Sequence, residues 1–154
     1  MLTLHVAAAG PAVLVEGRLV AAVGGYEDLS AAHPGARVRH WPGEIAPGRV
    51  RDGVRALLED TFHPDAYLPG RPDHRGESVR RGIHVLLGEG VTAVVDDLTD
   101  PAVRAAVDRS GLVRVPAGHR PVLTVGGRAD LAVIDGDGGC VATVLAGRLV
   151  HRRR

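Results

Sequence analysis

The sequence contains no lysine, asparagine or glutamine, and all 19 of its basic residues are arginine. Without lysine, the chain cannot form a Schiff base, a carbamylated metal bridge or the ammonium contact of a phosphate-binding loop. Without asparagine and glutamine, no side-chain amide is available to an oxyanion hole. These absences exclude several catalytic devices, but they do not identify a function.

The chain also has few aromatic residues and a small net charge. The aromatic residues are Tyr26, Trp41, Phe62 and Tyr67. Four rings are too few for the stacking platforms that bind single-stranded nucleic acids or sugars. The 19 arginines are balanced by 18 acidic residues, so the formal net charge is only +1. Binding of nucleic acid through bulk positive charge is therefore not expected.

The chain has one cysteine, Cys140, which cannot form an intrachain disulfide and which fits a reducing cytoplasm. The first ten residues lack the basic start of a signal peptide and alternate in the manner of a strand. No uninterrupted apolar run approaches the ~18 residues of a membrane span. The sequence therefore predicts a cytoplasmic protein without membrane contact.

The length of the chain limits the architecture. Its 154 residues fit about one domain. A complete eight-stranded (β/α) barrel needs roughly 250 residues and is excluded. The apolar fraction of 45% is sufficient for a hydrophobic core, so a disordered chain is excluded as well.

Strand patterns lie at both ends of the chain, and helical spacing lies between them. Residues 12–23 predict a β-hairpin that turns at Gly17. Near the carboxyl end, apolar runs predict short strands at residues 122–125, 131–134 and 141–145. A last hairpin is predicted at residues 144–150. In the middle, the pattern predicts a helix at 79–87, a buried parallel strand at 91–95, a helix at 101–110 that Asp100 caps, and a strand at 112–115.

These patterns predict an α+β fold. Residues 1–46 and 122–154 form a small β-sandwich built from both termini. Residues 47–121 form a short α/β insert that contains one βαβ unit. We expect the whole chain, residues 1–154, to be a single compact unit.

Five motifs, in chain order, resemble those of the amidohydrolase superfamily, especially imidazolonepropionase-like proteins. They are VLVEGRLVAAVG at 13–24, WPGEIAPGRV at 41–50, GVTAV at 90–94, GRADLAVID at 127–135 and VLAGRLV at 144–150. In that family, a small β-sandwich assembled from both chain ends carries an inserted metal-binding (β/α) barrel. The resemblance implies that the short βαβ insert is what is left of such a barrel, severely truncated.

The sequence departs from the family at the metal site. The family places Asp-x-His-x-His after the first barrel strand, and its two histidines bind the metal. Here the stretch reads RDGVR at 51–55, so Gly53 and Arg55 stand at the histidine positions. Glycine has no ligand atom, and arginine stays protonated and repels a cation. Only residues 116–121 lie where the later barrel strands and their ligands belong, so we expect no metal and no other cofactor.

Charged residues after two predicted parallel strands form the candidate binding site, because the carboxyl ends of parallel strands meet at one edge of a sheet. The expected crevice contains Arg51, Asp52, His63, Asp96 and Asp97. Paired carboxylates in different environments can act as acid and base. In the structural alternative, Asp97 caps the next turn and Asp52 forms a surface pair with Arg55.

The eight histidines raise the question of a different metal site. The densest group of candidate ligands is His63, Asp65, Asp73, His74 and His84. Their spacing matches no known zinc pattern, such as two histidines at i and i+4 on a helix. We therefore interpret them as solvated residues, and convergence of His63, His74 and His84 stays open.

The sequence leaves two main functions open. The first is a degenerate amidohydrolase-like protein, a pseudoenzyme that acts as a non-catalytic binding or regulatory module, with a small molecule as one candidate ligand. The second is a metal-dependent hydrolase of non-peptide carbon–nitrogen bonds of the cyclic amide or amidine type, with Zn²⁺ in a site that is rebuilt or completed by a partner chain. A vestigial protein without selected activity is a third alternative.

The apolar strand at 91–95 also raises a packing problem. Three barrel strands cannot close, so they leave strand edges and apolar surface exposed. The chain solves this either by packing the insert on its own β-module or by pairing with a second copy. The second solution predicts a homodimer formed through the insert.

Overall fold

The described residues form two β-sheets and four helices. The computed structural model describes residues 1–61 and 74–154. The strands are β1 (Leu2–Ala9), β2 (Ala12–Glu16), β3 (Leu19–Gly24), β4 (Arg37–Pro47), β5 (Arg49–Arg51), β6 (Val91–Val95), β7 (Val113–Val115), β8 (Leu131–Ile134), β9 (Cys140–Leu145) and β10 (Arg148–Arg152). The helices are α1 (Tyr26–Ala32), α2 (Val54–Leu58), α3 (His74–Gly88) and α4 (Pro101–Ser110). The predicted α+β class is confirmed.

The larger sheet joins both ends of the chain. Its seven strands have the order β10-β9-β8-β4-β1-β2-β3. β4 is parallel to β1 on one side and antiparallel to β8 on the other, where Ile45 lies opposite Val133. The amino-terminal and carboxyl-terminal strands therefore share one sheet through β4, as the sequence predicted.

The larger sheet curls around the main hydrophobic core. Buried side chains of β2 and β3 meet those of β8 and β9; they include Val13, Val15, Val20, Leu131, Val133 and Val144. At the edge of β3, Val20 donates its N–H to the Gly127 carbonyl at 2.8 Å, and Ala129 donates to the Arg18 carbonyl at 2.8 Å. These bonds bring the chain after β7 against β3 and complete the predicted sandwich-like form.

The predicted strand at 122–125 is not formed. Val122 is 77% exposed and Val125 is 59% exposed. The chain reaches the edge of β3 only at Gly126, whose N–H donates to the Val20 carbonyl at 2.8 Å. The prediction was wrong because alternating side chains produce a strand only where a neighbouring edge supplies hydrogen bonds.

The insert has a parallel sheet of order β5-β6-β7 with helices packed on it. Its core comes from α2, α3, β6, α4 and the segments that join them, and includes Val54, Leu58, Val79, Leu86, Val94, Val103 and Val107. The predicted helix 101–110 is present with its expected ends: Asp100 Oδ1 accepts from the Ala102 N–H at 2.9 Å, and Gly111 has φ +92°. Within residues 1–61 and 74–154, no helix has the length and apolarity that a membrane crossing requires.

The insert lies directly against the strands of the larger sheet. Thr143 in β9 donates its hydroxyl to the Leu87 carbonyl in α3 at 2.6 Å. At the junction of β4 and β5, a Cβ on Gly48 would lie only 2.6 Å from Thr92 Cβ, so the two sheets approach closely there. The apolar strand β6 is therefore covered in part by the chain's own β-strands.

One polar pair is buried on the inner side of the larger sheet. His5 is 3% exposed, and its Nδ1 accepts from Trp41 Nε1 at 3.1 Å. The guanidinium of Arg152 lies 5.6 Å from the centre of the Trp41 ring. Burial, with a smaller contribution from Arg39, lowers the pKa of His5 to about 4. His5 is therefore neutral at pH 7.

Candidate functional site

The three parallel strands bring several charged residues to one end of the insert. Val94 lies opposite Arg51 on one side and Arg114 on the other. Residues 52–53 follow β5, residues 96–97 follow β6, and Pro116 follows β7. This is the edge at which the sequence places the candidate crevice.

Asp97 is held by the backbone of the neighbouring segment. Its Oδ1 accepts from the N–H of Arg55 at 3.0 Å, in the first turn of α2. The N-cap position of α2 is Gly53, which has φ +63° and no side chain to perform this role. Asp97 thus satisfies a helix N–H, as the structural alternative expected, but on α2 and not on the helix that follows it.

Asp96 is held by two arginines. Its Oδ2 accepts from Arg114 Nη1 at 2.7 Å and from Arg104 Nη2 at 3.0 Å. Arg114 also binds both oxygens of Asp108, at 2.8 and 3.1 Å. Burial raises the pKa of Asp96, but the hydrogen bonds from Arg114 and Arg104 outweigh this and leave the pKa below its usual range. Asp96 is therefore an ionised partner of two cations and a poor general base.

Glu59 organises the loop after β6, and the sequence analysis missed it. Its carboxylate accepts from the N–H of Thr99 at 2.8 Å, from the Thr99 hydroxyl at 2.8 Å and from the N–H of Asp100 at 2.7 Å. Arg55 Nε lies 3.6 Å from it. Burial raises the pKa of Glu59, and these bonds outweigh burial and lower it. No local sequence pattern predicts this role of Glu59, because its partners Thr99 and Asp100 are distant in sequence.

The remaining candidates of the crevice are more exposed. Arg51 forms an ion pair with Glu89 at 2.8 Å, in which both side chains are 46% exposed. Asp52 is exposed in the turn before α2, and its predicted pair with Arg55 is replaced by the contact of Arg55 with Glu59. His63 lies outside the described residues. Convergence of all five candidates on one pocket stays a prediction.

The donor set at this edge does not fit a divalent cation. Gly53 offers no side chain, Arg55 is cationic, and Asp96 and Asp97 are already bonded to arginines and to a helix N–H. Within residues 1–61 and 75–154, no group of three or more His, Cys, Asp or Glu side chains is placed to hold a metal ion. Of the histidine-rich set, His84 is exposed on α3. The members outside the described side chains are His63, Asp65, Asp73 and His74.

A groove of about 670 Å³ begins at Asp96 and follows β7. It is lined by Arg18, Asp96, Asp108, Gly111, Leu112, Val113, Arg114, Val115, Pro116 and Arg128. Arg128 donates through Nη2 to the Gly111 carbonyl and pairs with Asp130 at 3.0 Å. No sequence pattern predicts this groove, because it forms between the insert and turns of the larger sheet.

Comparisons with known proteins show what this chain is similar to. A family model described as the imidazolonepropionase-like composite domain of bacteria matches residues 12–36. Comparison with curated proteins gives no match.

Solved structures that resemble the chain include the following two. The crystal structure of Aspergillus niger ochratoxinase has a TM-score of 0.51 and 19% identity over 75% of this chain and 30% of that chain. The crystal structure of guanine deaminase from Bradyrhizobium japonicum has a TM-score of 0.47 and 20% identity over 66% of this chain and 26% of that chain. The protein thus spans less than a third of the ochratoxinase chain, and the likeness to it shows the fold. The match at 12–36 confirms the resemblance to the imidazolonepropionase-like composite domain over that segment.

Proposed function

We propose that this protein is a degenerate amidohydrolase-like pseudoenzyme that acts as a non-catalytic binding or regulatory module without a metal cofactor. One observation carries the proposal. At the edge where the superfamily resemblance implies a metal site, Asp96 and Asp97 already neutralise arginines and cap a helix, and Gly53 and Arg55 occupy the two implied ligand positions.

Electrostatics supports this proposal. Both guanidinium groups bind Asp96 Oδ2, so a divalent cation at Asp96 would share its surroundings with two positive charges. Like charges about 4 Å apart repel by roughly 4 kcal/mol even at an effective dielectric constant of 20. The arrangement therefore favours a folded network of ion pairs over metal chemistry at Asp96.

The proposed location and assembly follow from the composition and the packing. A single cysteine, Cys140, is buried in β9 and fits a reducing cytoplasm. The contacts of β6 with the larger sheet support one compact unit, with residues 1–46 and 122–154 as the β-module and 47–121 as the insert. In the described part of the chain, the parallel sheet has open edges at β5 and β7, and these edges support a homodimer as the alternative assembly.

The second candidate function is a metal-dependent hydrolase of non-peptide carbon–nitrogen bonds in cyclic amides or amidines. The family-model match at residues 12–36 favours it. In this case Zn²⁺ is held by a rebuilt site, for which the candidate ligands are His63, Asp65, Asp73, His74 and His84, or by a site that a partner chain completes.

The two functions are distinguished by metal analysis and turnover on the same preparation. The purified full chain is incubated with Zn²⁺, passed through a desalting column and analysed for bound metal, and then assayed on cyclic amides and aminopurines. We expect no stoichiometric zinc and no turnover above the buffer rate. Stoichiometric zinc together with turnover, both lost in His63→Ala and retained in the exposed control His119→Ala, would establish the hydrolase instead.

A further inference from the structure

Strand β7 has one paired edge and one open edge. Its register opposite β6 pairs Ala93 with Val113 and Val95 with Val115. The Val115 carbonyl accepts from the Asp96 N–H at 3.0 Å, so Val113 and Val115 direct their backbone groups toward β6. Because backbone groups alternate along a parallel strand, the N–H and carbonyl of Arg114 point away from β6. No strand of the described chain pairs with this edge.

The open edge lies in the groove that Arg18 and Arg128 border from the opposite side. Its charged lining residues are three arginines and two aspartates: Arg18, Arg114, Arg128, Asp96 and Asp108. The aspartates are bonded to Arg114, and Arg128 pairs with Asp130 just outside the groove. Arg18 is exposed and forms no ion pair with any carboxylate in the described part of the chain. The groove therefore offers backbone hydrogen bonds on one wall and an available cation on the other.

We propose that this groove binds an extended peptide segment of a partner protein, which pairs with the open edge of β7 at Arg114 and places an acidic side chain against Arg18. This inference deepens the proposed binding function, on which it rests, by naming the class of partner. Main-chain pairing at a sheet edge supplies the affinity in this mode of recognition, and the ion pair supplies the selectivity.

The length and ends of β7 define how much of a peptide can pair. The Leu112 N–H donates to the Ser110 hydroxyl oxygen at 3.3 Å, and Pro116 has no N–H to donate. The Leu112 carbonyl and both backbone groups of Arg114 remain for the incoming strand. The paired segment is thus about three residues long, so we expect weak and reversible binding.

A second copy of this chain is a poorer occupant of the same edge. Two β7 strands related by a two-fold axis at Arg114 would place the two Arg114 side chains directly opposite each other. Like charges directly opposite destabilise a strand pair. An acidic partner segment meets no such repulsion.

The experiment is a titration of the uniformly ¹⁵N-labelled full chain with two blocked peptides, followed by amide chemical shifts. One probe is acetyl-Thr-Val-Glu-Val-Thr-amide, and the matched probe has Lys in place of Glu. We expect saturable shifts centred on the amides of residues 112–115 with the Glu peptide, and at least tenfold weaker binding of the Lys peptide. Arg18→Glu should reverse the preference, whereas Arg37→Glu, an exposed arginine on β4 away from the groove, should leave it unchanged.

Three results would overturn the proposal. They are the absence of shifts at residues 112–115 up to millimolar Glu peptide, equal binding of both peptides, and concentration-dependent shifts of the same amides without peptide, which would identify a second copy as the occupant. The outcome is independent of the zinc and turnover assay. A protein that binds the peptide and also turns over substrate would refute only the non-catalytic function.

Discussion

Asp97 accepts the backbone N–H of Arg55 at 3.0 Å and so links the loop after β6 to the first turn of α2. The residue at the N-cap of that helix is Gly53, which has no side chain. The helix therefore takes its side-chain cap from a different strand-loop segment, and the order of α2 depends on the position of β6.

The first prediction concerns this cap. Asp97→Ala should lower the free energy of unfolding by about 1 kcal/mol, because the N–H of Arg55 loses its acceptor. Asp52→Ala is the matched control, since Asp52 is exposed and its side chain has no hydrogen bond or ion pair in the described structure. Urea denaturation of both variants gives the comparison. Equal loss of stability in the two variants would show that Asp97 does not act as a cap.

The second prediction concerns Glu59. Glu59→Ala should destabilise the fold by about 1–3 kcal/mol, because the N–H groups of Thr99 and Asp100 lose their acceptor. Glu59→Gln should cost less, since its carbonyl still accepts from both N–H groups and the Thr99 hydroxyl can reverse to accept from its amide. Urea denaturation at pH 7 ranks the three proteins. A Gln variant as unstable as the Ala variant would contradict this account.

The third prediction is a loss of stability in acid that depends on His5. The pKa of His5 is about 4 in the folded protein and about 6.5 in the unfolded chain, so the unfolded chain takes up the proton first as the pH falls. The free energy of unfolding should therefore decrease by about 3 kcal/mol between pH 6.5 and pH 4. Below pH 4, His5 is protonated in both states and should contribute no further decrease. Burial also lowers the pKa of His151, which adds a change of the same sign.

His5→Gln isolates the contribution of His5, because glutamine does not titrate and its carbonyl can accept from Trp41 Nε1. Its unfolding free energy should depend clearly less on pH between 4 and 6.5 than that of the parent protein. His119→Ala, at an exposed position, should keep the full dependence. Parallel pH profiles for the parent and the His5→Gln variant would show that His5 is not the group that titrates.

The fourth prediction concerns the close approach of the two sheets at Gly48. Gly48→Ala should destabilise the protein by about 1–3 kcal/mol, because its Cβ would overlap the buried side chain of Thr92. Gly35→Ala is the control, since a Cβ there meets no atom within 4 Å. Thermal unfolding should separate the two variants by several degrees. The double variant Gly48→Ala, Thr92→Gly should recover part of the loss.

Local chemistry explains which elements the sequence predicted. The helix from Pro101 to Ser110 is preceded by its N-cap residue, Asp100, and followed by its C-cap residue, Gly111. The sequence predicted both ends. The strand at 91–95 was recognised by a short run rich in β-branched residues that is apolar on both faces, as in a buried parallel strand. By contrast, residues 122–125 have the side-chain pattern of a strand without an edge to pair with, and a pattern along the chain does not contain that information.

The candidate site could be predicted only in part for the same reason. The position of Asp96 and Asp97 after a parallel strand follows from their place in the sequence. Their bonding does not, because Arg104, Arg114 and the N–H of Arg55 become neighbours only when α2, α4 and β7 are packed. Glu59 is the clearest case, since its partners come from the loop before α4.

The position of β4 has a consequence for synthesis of the protein. Ile45 and its neighbours on β4 find their second partner only in β8, so the edge of β4 stays open while the whole insert is translated. At about 5–20 residues per second, this interval lasts roughly 4–18 s. During that time the emerging chain exposes an unpaired strand with an apolar face, which is a risk of aggregation.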